Sequence, residues 1–221
     1  IKNSNMNNAK KITNWKNYFA RYKKNKLALY FSKVARNQIC INLDKLLFSK
    51  IYKKKVNILD FGTSNSINED SNPFLEHLFK KKNKFNICGC GLDNPSKIKN
   101  KYKKLKYYKI RSSKKLPFRN KYFYASISHA VFEHVGNKKK FLFYLNELLR
   151  ISKKVYISIP NRYFLVEHHS NIPFLGFLPS NYIYKVLNFF NYNIFKDENN
   201  LTFNSLRDLK NKMKLIKNNN K

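Results

Sequence analysis

Asp60 and Asp93 are the acidic residues whose placement most suggests chemistry. They stand in the segments L-D-F-G and G-L-D-N, each at the end of a short apolar run, in a 221-residue chain with only 12 Asp and Glu. A carboxylate in such a place accepts hydrogen bonds from a ligand's hydroxyls, or caps a turn or a following helix. Both readings stay open for Asp60, and for Asp93 with a helix beginning near Pro95. The turn after Asp60, G-T-S-N-S (62–66), carries one glycine, Gly62. A pyrophosphate dinucleotide needs a second glycine for close backbone approach, so NAD and FAD are disfavoured there, whereas a nucleoside without phosphates tolerates Thr63 and the Ser and Asn that follow.

The histidines form a second group. Glu167, His168 and His169 make the most polar cluster of the later chain and are candidates to deprotonate or orient a substrate. Glu133-His134 is placed at the start of a helix, with a capping or packing role as the plain alternative. His77 is expected at the surface. No metal is expected, because one His-His pair with a single Glu supplies no established ligand spacing. Cys88 and Cys90, a C-x-C on one face of a strand, read as core residues.

These residues are carried by a regular succession of elements. Residues 11–50 show apolar spacing of three and four and form a helical lead-in. Strands are expected at 56–61, 85–93, 105–110, 121–129 and 154–160. Helices are expected at 71–79 with Ser71 as N-cap, at 95–102, 139–151, 180–191 and 203–216. Strand alternating with helix predicts an α/β, Rossmann-like doubly wound sheet, mainly parallel, with helices on both faces. The only weak candidate for an antiparallel last strand is 192–195. The expected division is a lead-in at 1–50, one domain at 51–217 and a frayed tail at 218–221. In such a sheet ligands lie beyond the carboxyl ends of the strands, where Asp60 and Asp93 fall.

Composition supports a globular chain, with 43% hydrophobic and 16% aromatic residues, and excludes disordered and collagen-like classes. Three Cys cannot build a disulfide framework, which suits a reducing cytoplasm. The opening residues lack a signal peptide's apolar core and no run of about 18 apolar residues occurs, so no membrane span is expected. The net charge of +34 has two readings. One is a polyanion or anionic membrane surface as partner, and the aromatic stretch from Tyr163 to Phe190 adds an interfacial possibility. The other is composition alone. Lys far outnumbers Arg, although Arg is the better phosphate fork, and Asn, Ile, Phe and Tyr abound as in an AT-rich coding sequence.

Taken together, V-N-I-L-D-F-G-T-S, G-L-D-N, K-L-P-F-R-N-K-Y-F-Y-A-S-I-S-H-A-V-F-E-H-V and I-S-I-P-N-R-Y-F resemble a class I S-adenosylmethionine-dependent methyltransferase of the type 11 group. The likeness runs from about 55 to 210. It extends to a subgroup with a Thr-Ser-Asn turn, P-N-R-aromatic-F near E-x-H, and a late E-x-N-L. The resemblance implies S-adenosyl-L-methionine as cofactor. Asp60 and Gly62 would line its methionine end, Asp93 would bind the ribose, and His129 and Ala130 would lie beside it. Thr63, Asn94 and Ser113 join them as cofactor-binding candidates. The family usually has Asp four residues before L-P-F, contacting the adenine amino group. Here that residue is Ser112, whose hydroxyl still accepts a hydrogen bond. The expected function is methyl transfer to an unidentified acceptor, with His169 or His134, and Glu167 beside them, as base where one is needed. The rivals are an RNA-directed methyltransferase or RNA-binding module, and a decayed methyltransferase scaffold acting as a binding protein.

Overall fold

The computed structural model describes residues 26–45, 55–67, 71–81, 85–192 and 195–219. The parts of the expected lead-in at 11–25 and 46–50 lie outside the described residues, as do 193–194 of the weak last-strand candidate. Helix α1 (Lys26–Leu43) is followed by β1 (Val56–Phe61), α2 (Pro73–Lys80), β2 (Phe85–Gly91), α3 (Ser96–Lys101), β3 (Lys106–Lys109), β4 (Phe123–His129), α4 (Lys138–Ile151) and β5 (Ser152–Ser158). A short 3-10 turn (Leu175–Phe177), α5 (Ser180–Phe189) and α6 (Leu206–Asn219) complete the order. Two compact units are formed. Among the described residues, one takes those within 36–132 and 138–159, and the other those within 26–35, 133–137 and 160–219.

The first unit holds a five-stranded sheet in the order β3-β2-β1-β4-β5, and every pairing is parallel. The order reverses between β1 and β4, as in doubly wound nucleotide-binding folds. The alternation of side chains across β1 shows why helices cover both faces. Ile58 packs in a cluster with Phe74, Leu75 and Leu78 of α2 and Ile98 of α3. Phe61, of opposite parity, meets Tyr144 of α4, the ring centroids 5.4 Å apart. The α/β doubly wound fold expected from the sequence is the fold observed, and Cys88 and Cys90 are buried in it.

Several boundaries differ from expectation. Strand β5 starts at Ser152, directly after α4 and two residues before the expected 154, with Lys153 and Lys154 on an edge strand. There the Lys154 ammonium sits over the Tyr124 ring at 5.1 Å. Helix α2 begins at Pro73 with Asn72 as N-cap, not Ser71, and without a side-chain cap bond. The Asn72 side chain is committed to the turn after β1, as described below. Glu133 and His134 begin no helix. They sit in a turn before α4, where Gly136 has φ +108° and the Glu133 carbonyl accepts the Thr202 N–H at 2.7 Å. His77 is half-buried and pairs with Asp44 at 3.0 Å. Helix α6 runs to Asn219, into the segment expected to fray.

The second unit has its own core of Leu175, Ile183, Leu187, Phe195 and Leu201. Gly176 is required by close approach, since a Cβ there would lie 1.6 Å from the Arg162 carbonyl oxygen. The Arg162 guanidinium donates to the Gly176 and Leu178 carbonyls at 2.9 and 2.6 Å, tying the 3-10 turn to the chain that follows β5.

Candidate functional site

In the sheet unit, the turn after β1 is built by interlocking side chains. The N–H groups of Gly62 and Thr63 both donate to the Cys90 carbonyl at 2.8 and 3.0 Å, which holds the turn over the end of β2. Gly62 has φ +93°, and a Cβ there would sit 2.3 Å from Val131 Cγ2, so the single glycine is demanded by both backbone and space. The Thr63 hydroxyl donates to Asp60 Oδ2 at 2.6 Å. Thr63 also explains the glycines of G-C-G. A Cβ on Gly89 would lie 2.7 Å from Thr63 Oγ1, and one on Gly91 2.4 Å from the Thr63 carbonyl. Asp60 is buried, and burial raises its carboxyl to about 6 from an ordinary 3.8, with the Thr63 hydroxyl bond pulling the other way.

Asp93 lies two residues beyond β2 and is exposed. Its Oδ2 accepts the Asn65 N–H at 3.2 Å. The capping alternative is not realised, because Pro95 is the N-cap of α3 and makes no side-chain bond. The orphan donors at that helix start are met from another turn. Asn65 Oδ1 accepts the N–H groups of Lys97 and Ile98 at 2.8 and 3.1 Å. Asn72 does the corresponding work for the first turn. Its Oδ1 accepts the Ser64 N–H at 2.9 Å, and its Nδ2 donates to the carbonyls of Ser64 and Ser66. Asn65 and Asn72 belong to the Thr-Ser-Asn turn and the Ser71-Asn72 pair of the family resemblance, but their hydrogen-bonding roles are not read from the sequence. Asn65→Ala is expected to lower stability by about 1 kcal/mol, the usual cost of a lost helix cap. Chemical denaturation checks this, and an unchanged midpoint contradicts it.

The remaining cofactor candidates fall at the same strand ends. Asn94 and Ser112 are exposed. Ser113, at φ 59°, donates its N–H to the Tyr144 hydroxyl at 2.8 Å. Ala130 follows β4 at φ 52° and donates its N–H to the Ser158 carbonyl at 2.9 Å. A non-glycine residue held at positive φ just past a strand is the kind of strain that gathers at binding sites. His129 is partly buried, and its Nδ1 is buried without a hydrogen-bond partner. Burial, followed by the Arg36 charge, lowers its imidazole to about 4.

The second unit brings the base candidates together. His169 Nδ1 lies 2.8 Å from Glu167 Oε1, and His169 Nε2 lies 3.2 Å from His134 Nε2. His134 Nδ1 lies 3.0 Å from the Asn200 carbonyl. Glu167 is anchored further by the N–H groups of His169 and Ser170 and by the Ser170 hydroxyl, at 2.9, 2.7 and 2.7 Å. Burial opposes ionisation of Glu167, but the His169 charge and these donors hold its carboxyl below the ordinary range. Burial likewise opposes charge on His169, and Glu167 outweighs it, so His169 is raised. Burial and the neighbouring His169 lower His134 to about 3. Glu133, which the sequence reading treated as a cap, joins the cluster, and burial raises its carboxyl to about 7.

The sequence matches no protein-family profile and no curated protein. Among solved structures, an S-adenosylmethionine-dependent methyltransferase from Archaeoglobus fulgidus is similar at 18% identity and TM-score 0.47, over 82% of this chain and 68% of that one. The geranyl diphosphate C-methyltransferase of Streptomyces coelicolor A3(2), solved with Mg2+, geranyl-S-thiolodiphosphate and S-adenosyl-L-homocysteine, matches at 13% identity and TM-score 0.47, over 79% and 56%. A methyltransferase of Methanosarcina mazei matches at 16% identity and TM-score 0.41, over 51% of this chain and 56% of that one. The matched region is thus little more than half the length of the last two chains. At these identities and TM-scores the likeness carries no argument about this chain, whose fold rests on its own sheet order. Among the described residues, no helix is long and apolar enough to cross a membrane.

Proposed function

We propose that this chain binds S-adenosyl-L-methionine and transfers its methyl group. The observation that carries the reading is Asp93. Its exposed carboxylate stands at the carboxyl end of β2 beside the point where the strand order reverses, and it caps no helix. Such a group suits the vicinal hydroxyls of a ribose. The residues fit the cofactor elsewhere too. The Gly62 turn is pinned too closely to accept a Cβ, and His129 Nδ1 is a buried polar atom in want of a partner.

When bound, the cofactor supplies an electrophilic methyl carbon. The protein's share is then to hold the ligand and align the acceptor, an effect worth many orders of magnitude in rate when the geometry is right. Asp93 would hold the ribose, while Asp60, Gly62 and Thr63 would form the wall at the methionine end. Ser112 and Ser113 would stand toward the adenine, and His129 and Ala130 would close the side after β4. The base candidates His169 and His134 are held by Glu167 and the Asn200 carbonyl within the second unit.

S-adenosyl-L-homocysteine is expected to raise the melting temperature with rising concentration, since a ligand that binds only the native state stabilises it. NAD is expected to leave it unchanged, because the turn lacks the glycine a pyrophosphate needs. An equal shift with both ligands, or none with S-adenosyl-L-homocysteine at millimolar concentration, overturns the reading. The second outcome favours a scaffold that has lost its cofactor.

A further inference from the structure

Hydrogen bonding fixes the tautomers of the buried pair. A carbonyl oxygen only accepts, so His134 carries its proton on Nδ1 toward Asn200, and the Glu167 carboxylate likewise draws the Nδ1 proton of His169. The two Nε2 atoms that face each other at 3.2 Å are therefore both lone-pair donors when the imidazoles are neutral. Glu133 is 2% exposed, and both its carboxylate oxygens are buried without a hydrogen-bond partner. One ligand atom from each of Glu133, His134 and His169 falls within 4.8 Å of the others.

A proton shared between the two imidazoles would satisfy them and leave Glu133 unanswered. A divalent cation answers all three. We infer that Glu133, His134 and His169 form a binding site for a zinc-like divalent metal ion. Tetrahedral coordination at zinc to nitrogen distances of ~2.0–2.1 Å sets ligand atoms about 3.3 Å apart. The imidazoles already stand at 3.2 Å, so the carboxylate needs only a side-chain adjustment of roughly 1.5 Å. Two imidazoles and one carboxylate suit zinc or a neighbouring transition metal better than calcium or magnesium. Each histidine gives its other ring N–H to a carboxylate or a carbonyl, the outer arrangement that orients metal-bound imidazoles. The cluster also borders a cavity of about 10 Å3, lined by Asn161, Arg162, Glu167, His168 and Thr202 among others. That is room for about one water molecule, which would take a fourth coordination position.

This site stands apart from the cofactor reading, and a metal held there would occupy the lone pairs that a base needs. The test titrates the chelator-treated full chain with Zn2+ against a chromophoric competitor, and with Co2+ by its visible absorption. One equivalent should bind, with a tetrahedral Co2+ spectrum. Glu133→Gln, which keeps the side-chain shape, should weaken binding by roughly tenfold or more. His169→Ala should abolish the spectrum, while His77→Ala, at a histidine paired with Asp44, should leave it intact. Absence of binding at millimolar Zn2+ overturns the inference and leaves the shared proton. Binding that survives Glu133→Gln and His169→Ala, or that is lost in His77→Ala, overturns it as adventitious. Circular dichroism checks that each variant is folded, and Glu133→Gln decides alone if His169→Ala is not. S-adenosyl-L-homocysteine stabilisation is read independently, so failure of the metal site and failure of the methyltransferase reading are distinguishable.

Discussion

Asp93→Ala is expected to weaken S-adenosyl-L-methionine binding by about 10- to 150-fold. A carboxylate that accepts from two vicinal hydroxyls contributes roughly 1.5–3 kcal/mol, and each 1.4 kcal/mol is a factor of ten in affinity. The structure separates this from a stability effect, because Asp93 makes one side-chain bond within the protein, from the Asn65 N–H at 3.2 Å, and the helix beyond is capped by Asn65. The melting temperature of the ligand-free variant should therefore move little. Asp93→Glu should retain part of the affinity, whereas Asp93→Asn should lose the charge-assisted share. Calorimetric titration together with melting curves checks this. An unchanged Kd in Asp93→Ala removes the residue from the site, and a large fall in melting temperature with an unchanged Kd would restore a structural role.

The second large effect is at Asp60 and depends on pH. Burial holds its carboxyl at about 6, above the ordinary 3.8. A native state that takes up a proton more readily than the unfolded chain is favoured by acid over that window, so ionised Asp60 costs stability at neutral pH. At 1.36 kcal/mol per unit the cost is about 3 kcal/mol. Asp60→Asn keeps a side-chain acceptor for the Thr63 hydroxyl and removes the buried charge. It should be more stable than the parent chain by up to about 3 kcal/mol at pH 8, and the advantage should shrink below pH 6 and vanish near pH 4. Urea denaturation at pH 4, 6 and 8 reads the difference, and a gap that does not change with pH refutes it. A costly carboxylate at the end of β1 is what a binding residue looks like when local stability and function disagree.

The same two residues show how far the sequence reaches. Asp60 and Asp93 are visible in it because each ends a short apolar run, and such runs are local signals: six or seven residues of buried strand suffice to mark one. Their chemical states are not visible. Whether Asp93 caps a helix depends on Asn65, 28 residues earlier, whose amide takes over that duty. Whether Asp60 is ionised depends on burial beneath a turn shaped by Gly89 and Gly91 on the next strand. Ser71 read as a helix cap because Ser before a proline-led helix is a strong local cue. The N-cap position falls instead on Asn72, whose side chain serves residues 64 and 66 and makes no cap bond.

The sequence by itself determined the alternation of strands and helices, and with it the parallel doubly wound sheet, since side-chain periodicity and short connections leave few other ways to bury these faces. It also placed His134, Glu167 and His169 among the candidates. Only the tertiary structure decided that these three converge, that Glu133 is buried beside them, and which ring nitrogen each histidine keeps for its neighbour. Residues 133–134 and 167–169 are joined by more than thirty residues of chain that include a helix and a strand. No period or motif encodes that separation. Convergence of such distant groups is set by how the whole chain packs, while periodicity reports only which face of its own element a residue occupies.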